Sequence, residues 1–230
     1  VSVEKESPGV WRVSPSAGGR KTGRRNGPRL PLDERREQLL DAAFDVVAAE
    51  GLAGLTMQAV AKRAGVAKPV LYAVYRTAPE LVAALLQREH ARGMGQVFDS
   101  LPADLGGSDP DAEYAASVMA FLRAVQRDPV RWRLILTHAD GAPVDYKELL
   151  YAARENIAGR LIELLDAGIA LRGGPENADV ELIGYVMLGF VEVLARLVIG
   201  DPERFPPERL ETTVRALVRT LPKNSGAAPA

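Results

Sequence analysis

The sequence predicts an all-α fold, with an N-terminal three-helix unit built around a helix-turn-helix and a larger helical bundle behind it. From Leu32 onward apolar residues return at steps of three and four along most of the chain, the period of a helix with one buried face. No strand-period segment or hairpin signal stands out, and Gly, Pro and Asp cut the helical stretches at intervals. With 230 residues there is ample chain for a sizeable core.

Residues 1–30 are rich in Gly, Ser, Pro and Arg and have no apolar periodicity, so a disordered arm is expected over residues 1–31. Asp33 to Glu50 carries Leu40, Phe44 and Val47 on one helical face. Leu55 to Arg63 reads as a short helix opened by Thr56, whose hydroxyl can cap the free N–H groups of the first turn. Ala61 and Ala64 let a second helix approach closely, Gly65 supplies the freedom a sharp turn needs, and Val66 anchors that turn. Ala67 to Val74 is the second short helix, with Pro69 tolerated in its first turn. Two helices joined in this way form the unit that lays a recognition helix in the major groove.

Thr77 followed by Glu80 is a capping box, with Pro79 inside the first turn, and it opens a long helix to about Ser100. Leu101 to Pro110 is a loop. Helices are expected from Asp111 to Arg127, from Pro129 to His138 and from Asp145 to Leu171. The last carries Leu150, Ala153, Ile157, Leu161, Leu164 and Gly168 in one stripe. Arg172-Gly173-Gly174-Pro175 breaks it, and Ala178 to Ile199 and Pro207 to Leu221 follow. The expected division is a helix-turn-helix domain over 32–77, a helical domain over 78–222 and a disordered tail over 223–230.

Formal net charge is −1, but its distribution is uneven. Residues 1–95 hold 15 basic against 10 acidic side chains, leaving 14 against 20 for the rest. The first 32 residues, at 7 against 2, supply the whole excess. Gly51 to Pro79 has four basic residues (Lys62, Arg63, Lys68, Arg76) and no acidic one, the imbalance a phosphate-facing surface needs. The absence of cysteine excludes disulfides, thiol chemistry and finger-type zinc sites. His90 and His138 lack spaced carboxylate partners, and no Gly-rich phosphate loop, HExxH or GxSxG is present. An enzyme is therefore not expected, and neither a cofactor nor a metal is implied. The longest apolar stretch, Leu182 to Ile199, is interrupted by Glu192 and Arg196, which argues against a membrane span. Without a signal-like start, a soluble cytoplasmic protein is the plain expectation.

The segment Gly51 to Leu81, GLAGLTMQAVAKRAGVAKPVLYAVYRTAPEL, resembles the DNA-binding end of TetR-type transcriptional repressors. Upstream, REQLLDAAFDVVAAEG (Arg36 to Gly51) looks like the first helix of that family. Downstream, Tyr72 and Leu81 match the outer positions of its Tyr-x-His-Phe-x-x-Lys-x-x-Leu stretch. The chain departs from it at Val74, Tyr75 and Ala78, where His, Phe and Lys are usual, and at Ala67, where Ser commonly caps the recognition helix. The match runs from about Pro31 to Gln87.

The resemblance implies a ligand-responsive regulator of transcription that binds a near-palindromic site on double-stranded DNA as a homodimer and is released by a small effector. Its DNA-facing candidates are Thr56, Lys68, Pro69, Val70, Tyr72 and Arg76. Lys68 can donate to guanine O6 and N7, Val70 can touch a thymine methyl, and Tyr72 can reach a phosphate or base. Thr56 and Arg76 are phosphate candidates, with Arg76 standing in for the lysine absent at Ala78. The basic arm is either a solvated leader or a strand that enters the minor groove. Two helices from each subunit would build the dimer interface, with Val186, Phe190, Leu194, Leu197, Val214 and Leu217 as candidates and Gly184 and Gly189 permitting close approach. An effector pocket would lie among Met119, Phe121, Trp132, Tyr151 and Met187, with His138 and Asn156 as further polar contacts, and would suit an apolar or aromatic ligand. The alternative is a helical ligand- or protein-binding dimer that has lost operator binding.

Overall fold

Helix starts in this protein are set by short polar side chains and prolines. A computed structural model describes residues 30–105, 109–137, 144–174 and 177–220. The expected arm, apart from the exposed Leu30 and Pro31, lies outside the described residues, as do the tail and His138. Among the described residues all regular structure is helical. α1 spans Leu32–Glu50, α2 Met57–Arg63, α3 Lys68–Tyr72 and α4 Ala78–Ser100. α5 spans Pro110–Arg127, α6 Pro129–Thr137, α7 Val144–Arg172, α8 Val180–Gly200 and α9 Pro207–Thr220. Thr56, Thr77, Asp109 and Asp179 cap α2, α4, α5 and α8 by accepting a backbone N–H, which satisfies donors a helix start leaves open.

Three local details differ from the sequence expectation. Leu52–Gly54 is a single 3-10 turn, entered through Gly51 at φ 75°, where the sequence suggested only a link. The reciprocal half of the capping box at α4 lands one residue early: Glu80 Oε2 accepts from the N–H of Arg76 rather than from that of Thr77. α3 is also shorter than Ala67 to Val74, because Ala67 is its extended cap and Ala73 already leaves the helix.

The described helices from Leu32 onward belong to one compact unit with two apolar cores. The first gathers Leu39, Ala43 and Val46 of α1, Val60 and Ala61 of α2, Leu71 of α3, and Leu81, Leu85 and Leu86 of α4. Leu134 of α6 and Tyr146 of α7 complete it. The second is built from α5 to α9, with Phe121, Leu122, Trp132, Ile157, Leu188, Ala195 and Val214 among its members, and α4 joins it through Val97. α4 thus serves both cores, and its 23 residues reach roughly 34 Å. α8 is long and apolar enough to cross a bilayer by length and composition. In this structure it packs against α5, α6 and α7. Its Glu192 pairs with Arg196 and with Arg154 of α7.

One carboxylate governs how α4 is held. Glu89 is fully buried, and it meets Arg88 and Arg131 at 2.9 Å and Arg92 at 3.3 Å. Arg88 and Arg92 reach on to Glu37 of α1, both at 3.2 Å, and Arg88 meets Asp41 at 2.8 Å. Arg131 of α6 also pairs with Asp128 at 2.9 Å. A buried charge is tolerated only when its partners stay in place, and removing one side leaves the other stranded. The expected outcome is that Glu89→Ala lowers unfolding stability by about 3 kcal/mol, while the equivalent change at the half-exposed Glu37 lowers it by about 1 kcal/mol or less. Urea denaturation midpoints of the two variants check this.

Candidate nucleic-acid interface and internal chamber

The turn between α2 and α3 is where the sequence placed it. Gly65 adopts φ 67°, a left-handed conformation that a side chain would strain, and its N–H donates to Lys62 O at 3.2 Å. Val66 N–H donates to Ala61 O at 3.0 Å, closing the turn. Leu71 is the one residue of α3 sent into the core, at 0% exposure, while Lys68, Pro69, Val70 and Tyr72 are exposed. Tyr72 leaves 48% of its surface open, so its hydroxyl end is not a packing group. Tyr75 faces inward at 5% exposure, and burial raises the pKa of its hydroxyl.

Around this face, Thr56 is exposed and its Oγ1 accepts from Ala59 N–H at 3.1 Å. Its O–H hydrogen remains available to donate. Lys68 Nζ reaches Gln58 Oε1 at a long 3.3 Å, and Arg76 is exposed beyond the end of α3. Of the four basic residues in the motif, Arg63 is engaged by Asp45 of α1 at 2.9 Å. The sequence reading did not anticipate that pair, because Asp45 lies eighteen residues upstream.

Behind this face lies a chamber of about 270 Å³ between α4, α5, α6, α7 and α8. Its wall includes His90, Met94, Tyr114, Phe121, Trp132 and Leu150. A second space of about 100 Å³ adjoins it and shares Leu101, Tyr114, Ser117 and Leu161 as wall. The α7 stripe found in the sequence runs along both: Leu150, Ala153, Ile157 and Leu161 border the first, and Leu161, Leu164 and Gly168 the second. Trp132 is held rigidly, edge-on to Phe121 at 4.8 Å, with its indole N–H donating to Gln96 Oε1 at 2.9 Å.

Of the sequence candidates for a pocket, Phe121 and Trp132 line the chamber and Met187 lines the smaller space. Tyr151 and Met119 line neither. Tyr151 is 68% exposed, because one residue past Leu150 turns it about 100° away from the α7 stripe. Met119 is buried next to Val118 but turned from the chamber by the same rotation. Asn156 is exposed. His90, which sequence reasoning noted only for its place on the connecting helix, is a wall residue at 4% exposure, edge-on to Tyr146. Its burial lowers its pKa, so the imidazole is neutral near pH 7. The signal was present: His90, Met94 and Val97 repeat at steps of four and three.

The expected dimer residues divide. Val186 is 62% exposed on the outer side of α8, alongside exposed Leu182 and Val193, and Leu217 is exposed on α9. Phe190 and Leu197 are half-buried. Leu194 and Val214 are instead buried in the chain's own second core and present nothing to a partner. Gly184 likewise serves the chain itself, since a Cβ there would fall 2.7 Å from Ile162 Cγ1 of α7, whereas Gly189 faces open space.

A tight helical pair with its second helix turned outward, carried on a bundle with an internal chamber, is a helix-turn-helix arrangement. Residues 39–85 match the family model described as bacterial regulatory proteins, tetR family. It is 40% identical over 113 residues to the transcriptional activator FasR of Mycolicibacterium smegmatis, spanning 49% of this chain and 50% of that protein. It is 31% identical to the transcriptional repressor KstR of Rhodococcus jostii, over 58% of each. The chain thus spans about half the length of these curated relatives. A transcriptional regulator from Rhodococcus sp. RHA1 superimposes with TM-score 0.66 at 27% identity, over 84% of this chain and 99% of that one. FadR of Bacillus subtilis, solved in complex with stearoyl-CoA, shares the fold with TM-score 0.63 at 16% identity, over 80% and 97%.

Thr56→Ala is expected to lower stability by about 1 kcal/mol through loss of the α2 cap, read as a shift in the thermal midpoint. Thr56→Ser should leave that midpoint nearly unchanged.

Proposed function

We propose that this chain is a ligand-responsive repressor that binds a near-palindromic operator as a homodimer and leaves it when a small apolar or aromatic effector fills the internal chamber. The observation that carries this is the outward face of α3. Lys68, Pro69, Val70 and Tyr72 are all exposed on a helix whose Leu71 is locked into the core. Such a face is positioned to enter a groove, with Lys68 donating to base edges and Thr56, Tyr72 and Arg76 meeting phosphates. One helix-turn-helix binds a half-site weakly, and the apolar stripe Leu182, Val186 and Val193 on α8 offers a second copy the surface that pairing needs. Repression is preferred because it requires only occupation of the DNA. Among the relatives, KstR is a repressor and FasR an activator. FadR of Bacillus subtilis, a protein of the same fold solved in complex with stearoyl-CoA, supports the effector reading. The effector acts by favouring the arrangement it binds better, and its leverage equals that difference in affinity.

Sequencing of the genomic fragments retained by the purified protein at modest salt tests this. A shared near-palindrome is the expected outcome. Lys68→Ala should weaken retention and relax preference at one base position, costing about 1–3 kcal/mol if Lys68 reads a base. Arg76→Ala should weaken binding to all sequences alike and reduce the salt slope by about 1. Val186→Arg is expected to convert the dimer to monomer in sedimentation. Two observations favour the alternative of a dimer without operator binding: Arg63 is held by Asp45, and the Ala67 cap position offers no side-chain hydrogen bond to α3. Absence of any enriched sequence at modest salt would decide for it.

A further inference from the structure

Two polar atoms on the wall of the chamber are buried and unpartnered among the described residues: Nε2 of His90 and the hydroxyl of Tyr114. His90 is more than nine-tenths buried, so its ring has left bulk water without gaining a protein partner for that nitrogen. Because His90 lines the chamber, an occupant with a hydrogen-bonding group can satisfy it there. The rest of the lining near it is apolar: Met94, Val97, Phe121, Trp132 and Ile135.

The placement of charge narrows what that occupant is. The charged residues of the chamber wall are Arg154, Glu192 and Arg196, and they interlock. Arg154 meets Glu192 at 2.9 Å and Arg196 meets it at 3.7 Å, with both arginine side chains close to half-exposed. All three side chains stay partly exposed, unlike that of His90. In the adjoining space Asp111 and Arg172 pair at 3.0 Å. His90 is neutral for the reason already given. An anionic group beside His90 would be a charge set among Met94, Val97, Phe121, Trp132 and Ile135, an expensive arrangement. A neutral oxygen fits, because neutral imidazole can accept from a hydroxyl or donate to a carbonyl according to its tautomer.

We infer that the effector is an uncharged apolar molecule carrying a hydroxyl or carbonyl oxygen, that this oxygen seats on His90 Nε2 with Tyr114 as a second hydrogen-bonding group, and that His90 determines specificity. This rests on the effector-binding reading above and gives it a ligand chemistry. The contact falls on α4, one residue from Glu89, whose carboxylate ties that helix to Arg131 of α6 and, through Arg88 and Arg92, to α1. Occupation of the chamber is therefore sensed on the helix that enters both cores.

Equilibrium dialysis of the full chain against 2-naphthol, naphthalene and 2-naphthoate near neutral pH tests the inference with three ligands of one shape. The expected result is that 2-naphthol binds roughly tenfold more tightly than 2-naphthoate. His90→Leu should reduce 2-naphthol affinity about tenfold, the worth of one hydrogen bond, and leave naphthalene binding unchanged. His90→Asn, which keeps a hydrogen-bonding group, should recover most of the loss, and melting curves confirm that each variant is folded. Unchanged 2-naphthol binding in His90→Leu would overturn the inference. So would tightest binding of 2-naphthoate, lost on Arg154→Ala, which would put an anionic head beside Arg154 instead. Failure of the wild-type chain to bind any of the three also overturns it. Retention of a shared near-palindrome by the same preparation would then leave the DNA-binding reading standing, so the two failures are distinct.

Discussion

The buried carboxylate of Glu89 is the constraint on which the arrangement of this bundle depends. A charge withdrawn from water cannot drift, because its partners must remain within hydrogen-bonding distance. Glu89 is met by arginines from its own helix and from α6, and two of these continue to acids on α1. The network therefore fixes α4 against α1 on one side and α6 on the other, which hydrophobic packing alone would not do so specifically. Leucines in contact tolerate small slides, whereas a stranded carboxylate does not. Asp128 extends the same network to Gln96, which in turn orients Trp132, so the chamber wall and the first helix of the helix-turn-helix unit hang on one chain of polar contacts.

The chamber persists because its walls are spaced by residues that cannot collapse into it. Trp132 is pinned by the perpendicular ring of Phe121 and, at its nitrogen, by Gln96. Gly93 lets α6 come so close to α4 that a Cβ there would lie 2.5 Å from Ile135 Cδ1. Gly184 does the same for α8 against α7. Close approach at these two crossings, with bulky rigid groups between them, leaves a space rather than a filled core. Protein interiors otherwise pack to the density of organic crystals.

Most of the helical order was legible because helix starts are written locally. Thr56 and Thr77 each precede their helix and cap it, and Gly65 marks the turn by itself. The α7 stripe was legible for the same reason, since period alone puts Leu150, Ala153, Ile157 and Leu161 on one face. The misses share a different cause. Whether Leu194 faces a partner or its own core depends on where α5 and α6 lie, and nothing in the sequence of α8 says so. Tyr151 looks like a pocket residue by size and differs only in phase from the stripe beside it. The Glu89 cluster joins acids and arginines more than forty residues apart, a separation at which sequence patterns carry no information. His90 was visible but lacked meaning until Tyr146 and the chamber were placed around it.

The two apolar cores are not assigned one to each half of the sequence. Leu134 and Tyr146, from α6 and α7, fill the core that α1, α2 and α3 begin, and Leu150 packs against both. A segment ending near residue 77 would therefore lack Leu81, Leu85, Leu86, Leu134 and Tyr146, five members of that core. The helix-turn-helix does not complete its core alone. Its folding free energy is borrowed from segments that come later in the chain, so the order in which the chain emerges during synthesis is not the order in which its first three helices can become stable.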